Sequence, residues 1–114
     1  MEVGYHLIAD LECGDSTLLK TMEEMKKIVE EAVLKGNLTK ISSDYHQFQP
    51  FGVSGVVLLA ESHLSFHSFP EYNLLTLDIY TCGENREERV NVAYEYIVNS
   101  LNATEIKKWV LVRG

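Results

Sequence analysis

The chain is poor in cysteine: Cys13 and Cys82 are the only two among 114 residues. Two cysteines make no disulfide framework, and a reducing compartment keeps both as thiols. Positive charge is also scarce. There are 10 Lys and Arg against 17 Asp and Glu, a formal net charge of -7, and no segment carries a basic cluster. Tight nucleic-acid binding needs several phosphate-neutralising cations, so no nucleic-acid partner is expected. The negative field mildly favours cationic ligands. No apolar run approaches the ~20 residues of a membrane span, and Met1–His6 lacks the basic-then-apolar order of a signal peptide. A cytoplasmic protein with no membrane partner is expected. Zinc motifs are missing too. There is neither a Cys-x-x-Cys pair nor a helical His-Glu-x-x-His, and His63 and His67, four apart on a strand, share a face but stand far apart. No metal is expected. Without repeats or linkers, residues 1–114 read as a single domain.

What is present is well patterned. A first strand runs Val3–Ala9, followed by a polar corner, Glu12–Thr17. Thr21 with Glu24 fits a capping box that opens a helix. Met22, Met25, Val29, Ala32 and Val33 recur at helical spacing as core-filling residues. Glu23–Lys27 and Glu31–Lys35 fit i,i+4 pairs, and Gly36 fits a left-handed C-terminal stop. Leu38–Phe48 reads as a strand turned by Gln49–Gly52. Val53–Ala60 is apolar on both faces and reads as a central, covered strand, with Gly52 and Gly55 marking close backbone approach or a bulge. His63–Phe69 alternates, Leu64 and Phe66 on one face, His63, Ser65, His67 and Phe69 on the other. Leu74–Thr81 alternates likewise, with Thr76, Asp78, Tyr80 and Cys82 on the polar face. Asn85 with Glu88 resembles a second cap before the helical pattern of Val90, Ala93, Tyr94, Ile97 and Leu101. A last strand covers Ile106–Val112. This order predicts an α+β two-layer sandwich with a mostly antiparallel sheet and both helices on one face. The second sheet face is also apolar, which predicts a homodimer packed sheet against sheet.

Between the covered strand and the alternating one sits Glu61-Ser62. The pair reads either as an ordinary corner or as a bond that the protein cuts in itself. Ser54, Ser62, His67 and Cys82 are the chemically capable groups, each with a plain structural alternative: a small strand residue, a corner residue, a half-buried histidine, a small buried thiol. Gly52-Val-Ser-Gly55 only superficially resembles a nucleophile elbow, because a long strand follows it.

Phe48-Gln-Pro-Phe-Gly-Val-Ser-Gly-Val-Val57, Glu61-Ser-His-Leu-Ser-Phe-His-Ser-Phe-Pro-Glu71 and Thr81-Cys-Gly83 together closely resemble the small prokaryotic S-adenosylmethionine decarboxylases, across essentially the whole chain. The resemblance implies a proenzyme that cuts itself between Glu61 and Ser62 into a β chain, 1–61, and an α chain, 62–114. Ser62 attacks the Glu61 carbonyl, His67 takes the α-proton of residue 62, and Ser54 hydrogen-bonds the oxyoxazolidine intermediate. Residue 62 becomes a pyruvoyl cofactor that forms a Schiff base with a small amino-acid-type substrate, and Cys82 returns a proton. Positioning activates a serine, and a histidine with an ordinary pKa of ~6.5 suits a base at neutral pH. The resemblance further implies that Phe48 of a partner subunit stacks on adenine, with Phe69, where many relatives carry Trp, as a second stacking residue. Glu71 accepts the ribose hydroxyls. One departure is Gly4-Tyr5-His6-Leu7, where relatives usually have Arg in place of Tyr5. Two other readings stand beside this one. In the first, the same scaffold decarboxylates arginine or ornithine, with Glu71 or Asp78 as the carboxylate partner. In the second, the chain is an uncleaved, non-catalytic structural homolog.

Overall fold

The computed structural model describes residues 2–114; Met1, part of the N-terminal stretch read above, lies outside them. Six strands form one sheet: β1 (Gly4–Cys13), β2 (Lys40–Gln47), β3 (Val53–Leu59), β4 (His63–Phe69), β5 (Leu74–Cys82) and β6 (Ala103–Arg113). Two helices, α1 (Met22–Lys35) and α2 (Arg86–Ser100), interrupt the order. The sheet runs β2-β3-β4-β5-β1-β6, and every neighbouring pair is antiparallel. Both helices lie on one face, α1 over β2 and β3 and α2 over β1, β5 and β6. The predicted α+β sandwich is therefore the observed one. β1 and β6 run longer than expected, because their pairing continues through Glu12 and Cys13 to Ala103.

The core forms where the helix stripes meet alternate strand positions, odd-numbered in β1, β3 and β5 and even-numbered in β4. Leu7, Ala9 and Leu11 of β1, Leu75, Leu77 and Ile79 of β5 and Val57 and Leu59 of β3 are buried, as are Leu64 and Phe66 of β4. They pack on Met25, Ile28, Val29, Ala32 and Val33 of α1 and on Val90, Ala93, Tyr94 and Ile97 of α2. Gly55 is needed here: a Cβ would sit 2.5 Å from the Phe66 ring and 2.6 Å from that of Tyr45.

Several local expectations are corrected. Met22 does not fill the core. It is the first helical residue and 39% exposed, and its amide is held by the Gln47 side chain at 2.6 Å. Thr21 caps α1 by accepting the Glu24 amide at 3.4 Å. Gly36 closes that helix without being left-handed. Its φ is -78°, and the left-handed residue is Asn37, φ 55°. Gly36 is there for packing, since a Cβ would lie 2.7 Å from the Arg89 carbonyl oxygen on α2. Asn85 does stand at the start of α2, but it is left-handed (φ 57°), and this turns its side chain away from the cap. Neither Glu23–Lys27 nor Glu31–Lys35 closes to an ion pair. Glu30 instead receives Lys40 at 2.7 Å, Tyr45 at 2.7 Å and Ser43 at 3.0 Å, tying α1 to β2.

β3 is not covered on both faces within one chain. It lies second from the sheet edge, and Val56 and Leu58 are 42% and 48% exposed on the side away from the helices. Trp109 and Leu111 of β6, paired with Ile8 and His6, extend the same apolar face. This free face also carries Ser54, His67, Phe69 and Asp78, by the alternation of their strands.

Candidate active site

Glu61 and Ser62 lie at one end of β4. Leu59 and Ser62 exchange both backbone hydrogen bonds, at 2.9 and 3.2 Å, so Ala60-Glu61 is a tight two-residue turn between β3 and β4. The Ser62 hydroxyl is set against the Glu61 carbonyl oxygen. Cys82 Sγ donates to that same oxygen at 3.3 Å. The β4–β5 register explains the placement: His63 pairs with Tyr80, so the next positions outward bring residue 82 across from residue 61. The Glu61 side chain is fixed as well. Oε1 accepts the Thr39 amide at 3.3 Å, and Oε2 accepts Arg89 Nη2 at 3.0 Å. Burial pushes the Glu61 carboxyl pKa up, but Arg89 and Thr39 outweigh it and hold the group below its ordinary range.

The other predicted residues gather at the opposite end. Ser54 and His67 pair across β3 and β4, and Ser54 Oγ lies 2.7 Å from His67 Nδ1. Both line a cavity of about 320 Å³ together with Phe48, Phe69, Glu71 and Phe51. Gly52 and the cis Gln49–Pro50 bond shape the loop that brings Phe48 there. Three phenylalanines, an acid and an imidazole around one hollow suit a ligand with a flat ring and hydroxyl or cationic groups.

The two groups are far apart. Residues 62 and 67 are five positions apart along a strand that rises ~3.3 Å per residue, so roughly 16 Å separates them. Within one chain His67 does not reach the α-proton of residue 62, and Ser54 does not reach the Glu61 carbonyl. Within one chain these side chains form two half-sites: Ser54 and His67 on the free face, and Ser62, paired with Leu59, beside Glu61 and Cys82 at the far end of β4.

Three features escaped the sequence. Arg89 sits in a helical pattern that reads as a solvated face, yet it reaches Glu61. Thr39 is an unremarked loop residue. His63, read as sharing a face with His67 but standing far from it, bonds Asp78 Oδ1 at 3.1 Å. His6 bonds the same atom at 3.2 Å, and Ser65 bonds Oδ2 at 2.7 Å. His6, His63 and Asp78 bring their ligand-type atoms within 4.8 Å of one another. Asp78, weighed above as a cation partner, is thus already engaged. Tyr5 turns to the helix side with Leu7 and is 8% exposed, so the departure from Arg leaves both half-sites untouched.

Fold and turn together define a class: an α+β sandwich in which a serine hydroxyl is held against the carbonyl of its own preceding residue, beside a thiol. The comparisons are more specific. The family model described as S-adenosylmethionine decarboxylase matches residues 5–114. An S-adenosylmethionine decarboxylase proenzyme of Thermoplasma volcanium is 56% identical over 112 residues, 98% of this chain and 85% of its own length. That of Archaeoglobus fulgidus is 44% identical over 114 residues, 100% of both. The crystal structure of the adenosylmethionine decarboxylase from Aquifex aeolicus superposes with a TM-score of 0.92 at 46% identity, over 99% of this chain and 92% of that one. The chain belongs to the S-adenosylmethionine decarboxylase family.

Proposed function

We propose that this chain is the proenzyme of a pyruvoyl-dependent S-adenosylmethionine decarboxylase, cut between Glu61 and Ser62 and active as a homodimer whose sites are shared between two copies. The product is decarboxylated S-adenosylmethionine, the aminopropyl donor of spermidine synthesis. Family membership over residues 5–114 supports the activity, and the relatives named above favour S-adenosylmethionine over arginine or ornithine. The observation that carries the self-cleavage is the Glu61 carbonyl, faced by the Ser62 hydroxyl and the Cys82 thiol. A serine whose target is the carbonyl of its own neighbour, held in a tight turn, gains the advantage of proximity and orientation.

The gap of roughly 16 Å and the free apolar face support the shared site. Two sheets stacked face to face about a two-fold axis cover Val56, Leu58, Trp109 and Leu111. The same rotation lays the His67 half-site of one copy over the Ser62 half-site of the other. Donation of His67 Nδ1–H to Ser54 Oγ leaves Nε2 free to take the α-proton of the partner's residue 62. Phe48 and Phe69 hold the adenine, and Glu71 accepts the ribose hydroxyls from the same hollow. The pyruvoyl group derived from Ser62 supplies a carbonyl that receives electrons from the departing carboxylate. Cys82, half-exposed beside that position, holds the proton that returns to the α-carbon. Cys13 is buried away from the site, and burial, aided by Glu12, pushes its thiol pKa up to about 11, which keeps it unreactive. Two free thiols suit the cytoplasm, and no helix among the described residues is long and apolar enough to cross a membrane.

The test has two readings. Intact-mass analysis of purified protein should give two pieces split before residue 62, with Ser62→Ala staying whole. Carbon dioxide release, measured side by side with S-adenosylmethionine, arginine and ornithine, should occur with the first alone. Release from arginine or ornithine overturns the substrate assignment, and an uncut wild-type chain overturns the enzyme reading.

A further inference from the structure

Arg89 is an unusual helix residue. Its side chain is only 17% exposed. One nitrogen, Nη2, serves two acceptors, the Asn37 carbonyl at 2.7 Å and Glu61 Oε2 at 3.0 Å. Its Nε is buried with no hydrogen-bond partner. A two-residue turn between strands has no structural need of a buried guanidinium, since Leu59 and Ser62 already close it through the backbone. What the ion pair adds is a fixed orientation for Glu61, whose carbonyl is the one under attack. With Oε1 held by the Thr39 amide and Oε2 by Arg89, the residue is gripped from the α1–β2 loop and from α2 at once.

We propose that Arg89 is the positioning residue of the self-cleavage, locking Glu61 so that its carbonyl stays against the Ser62 hydroxyl. This rests on the self-cleavage reading above. In that reaction the Ser62 Oγ–Glu61 C bond forms and the Glu61 C–N bond breaks, giving an ester and a free amine at residue 62. A base then takes the α-proton of residue 62, the Cβ–Oγ bond breaks, and Glu61 leaves with a new α-carboxylate. Water replaces the nitrogen of the resulting dehydroalanine and ammonia departs. A leaving carboxylate on Glu61 is favoured by a guanidinium already paired to that residue. The pair also spans the cut, with Glu61 ending one piece and Arg89 lying in the other, so it holds the new chain end in place.

The experiment follows proenzyme made by cell-free synthesis and times the appearance of the two pieces by intact mass. Misplacement of reacting atoms by about 1 Å costs up to ~100-fold in rate. Arg89→Gln should therefore lengthen the half-time at least ~10-fold, and Arg89→Lys should recover much of the loss. Glu61→Gln should slow cleavage by itself, and adding Arg89→Gln to it should slow it little further. An Arg that serves only to hold the Asn37 carbonyl gives a different pattern: Arg89→Gln then slows the wild-type and Glu61→Gln proteins by equal factors. That result, or an unchanged half-time in Arg89→Gln, overturns the inference. If Arg89→Gln fails to fold, Glu61→Gln decides, and an unchanged half-time in it overturns the inference. A wild-type chain that stays whole overturns the self-cleavage reading and this inference with it, a result distinct from cleavage that ignores Arg89.

Discussion

The two ends of β4 are built differently. At the Ser62 end the reacting groups are crowded: a carbonyl, a hydroxyl and a thiol meet in one turn, and the side chain of Glu61 is pinned from two elements. At the His67 end the groups are spread around an open hollow, and Ser54 and His67 bond each other and nothing from the first group. One end is arranged for a reaction within the chain, the other for a visitor. A single strand carries both and cannot bend them together. The distance between the ends is therefore a property of the single chain, and the proposed second copy is what would close it.

Mixing defective chains gives the largest expected effect. Ser62→Ala and His67→Ala proteins should each stay uncut alone. In a heterodimer of the two, the His67→Ala chain meets an intact His67 across the interface and should be cut, recovering processing from none to about that of one site per dimer. If both ends worked within one chain, that chain would stay whole in every mixture. Cys82→Ala should act next in size and on both sides of the comparison. We expect slower cleavage, because the Glu61 carbonyl loses a donor, and decarboxylation by the processed protein reduced ~100-fold or more, the scale of a lost general acid. Single-turnover carbon dioxide release measures it.

The smallest effect sharpens the contrast with a purely structural carboxylate. Burial pushes the Glu30 pKa up, but Lys40, Tyr45 and Ser43 outweigh it and hold the group below its ordinary value of 4.5. A folded pKa below the unfolded one means stability that is present above about pH 4.5 and lost as pH falls through the folded value. Glu30→Gln should therefore cost ~1–2 kcal/mol near pH 7, with the difference shrinking in acid. Thermal melts in the Ser62→Ala background give the reading, and cleavage rates in the uncut-competent protein should be unaltered.

The fold was legible because its signals were local and repeated. Alternation marked β4 and β5, helical spacing marked α1 and α2, and the element order left few ways to layer them. Motif resemblance singled out Glu61, Ser62 and Cys82, and the β4–β5 register brings those residues together. The separation of His67 from Ser62 was available in principle, since the expected strand His63–Phe69 is the observed β4 and five strand residues have a known length. Arg89 was illegible for a different reason. Its contact with Glu61 depends on how closely α2 crosses α1 at Gly36, which is a matter of packing and leaves no trace in spacing. Asn85 misled because a capping sequence says nothing about the left-handed turn that carries it.

The strand order has one more consequence. A cut before residue 62 leaves β1, β2 and β3 in one piece and β4, β5 and β6 in the other, yet β1 lies between β5 and β6. The two fragments are woven, not docked. Neither can be withdrawn without unzipping two ladders of β1 along with the β3–β4 pairing. A chain cut there must fold first and be severed after, so its two pieces would share a knot tied by one chain. Once melted, the pieces would have to find each other in solution and rebuild an interleaved sheet. The lifetime of the mature enzyme is then set by how slowly it unravels, with no equilibrium to bring it back.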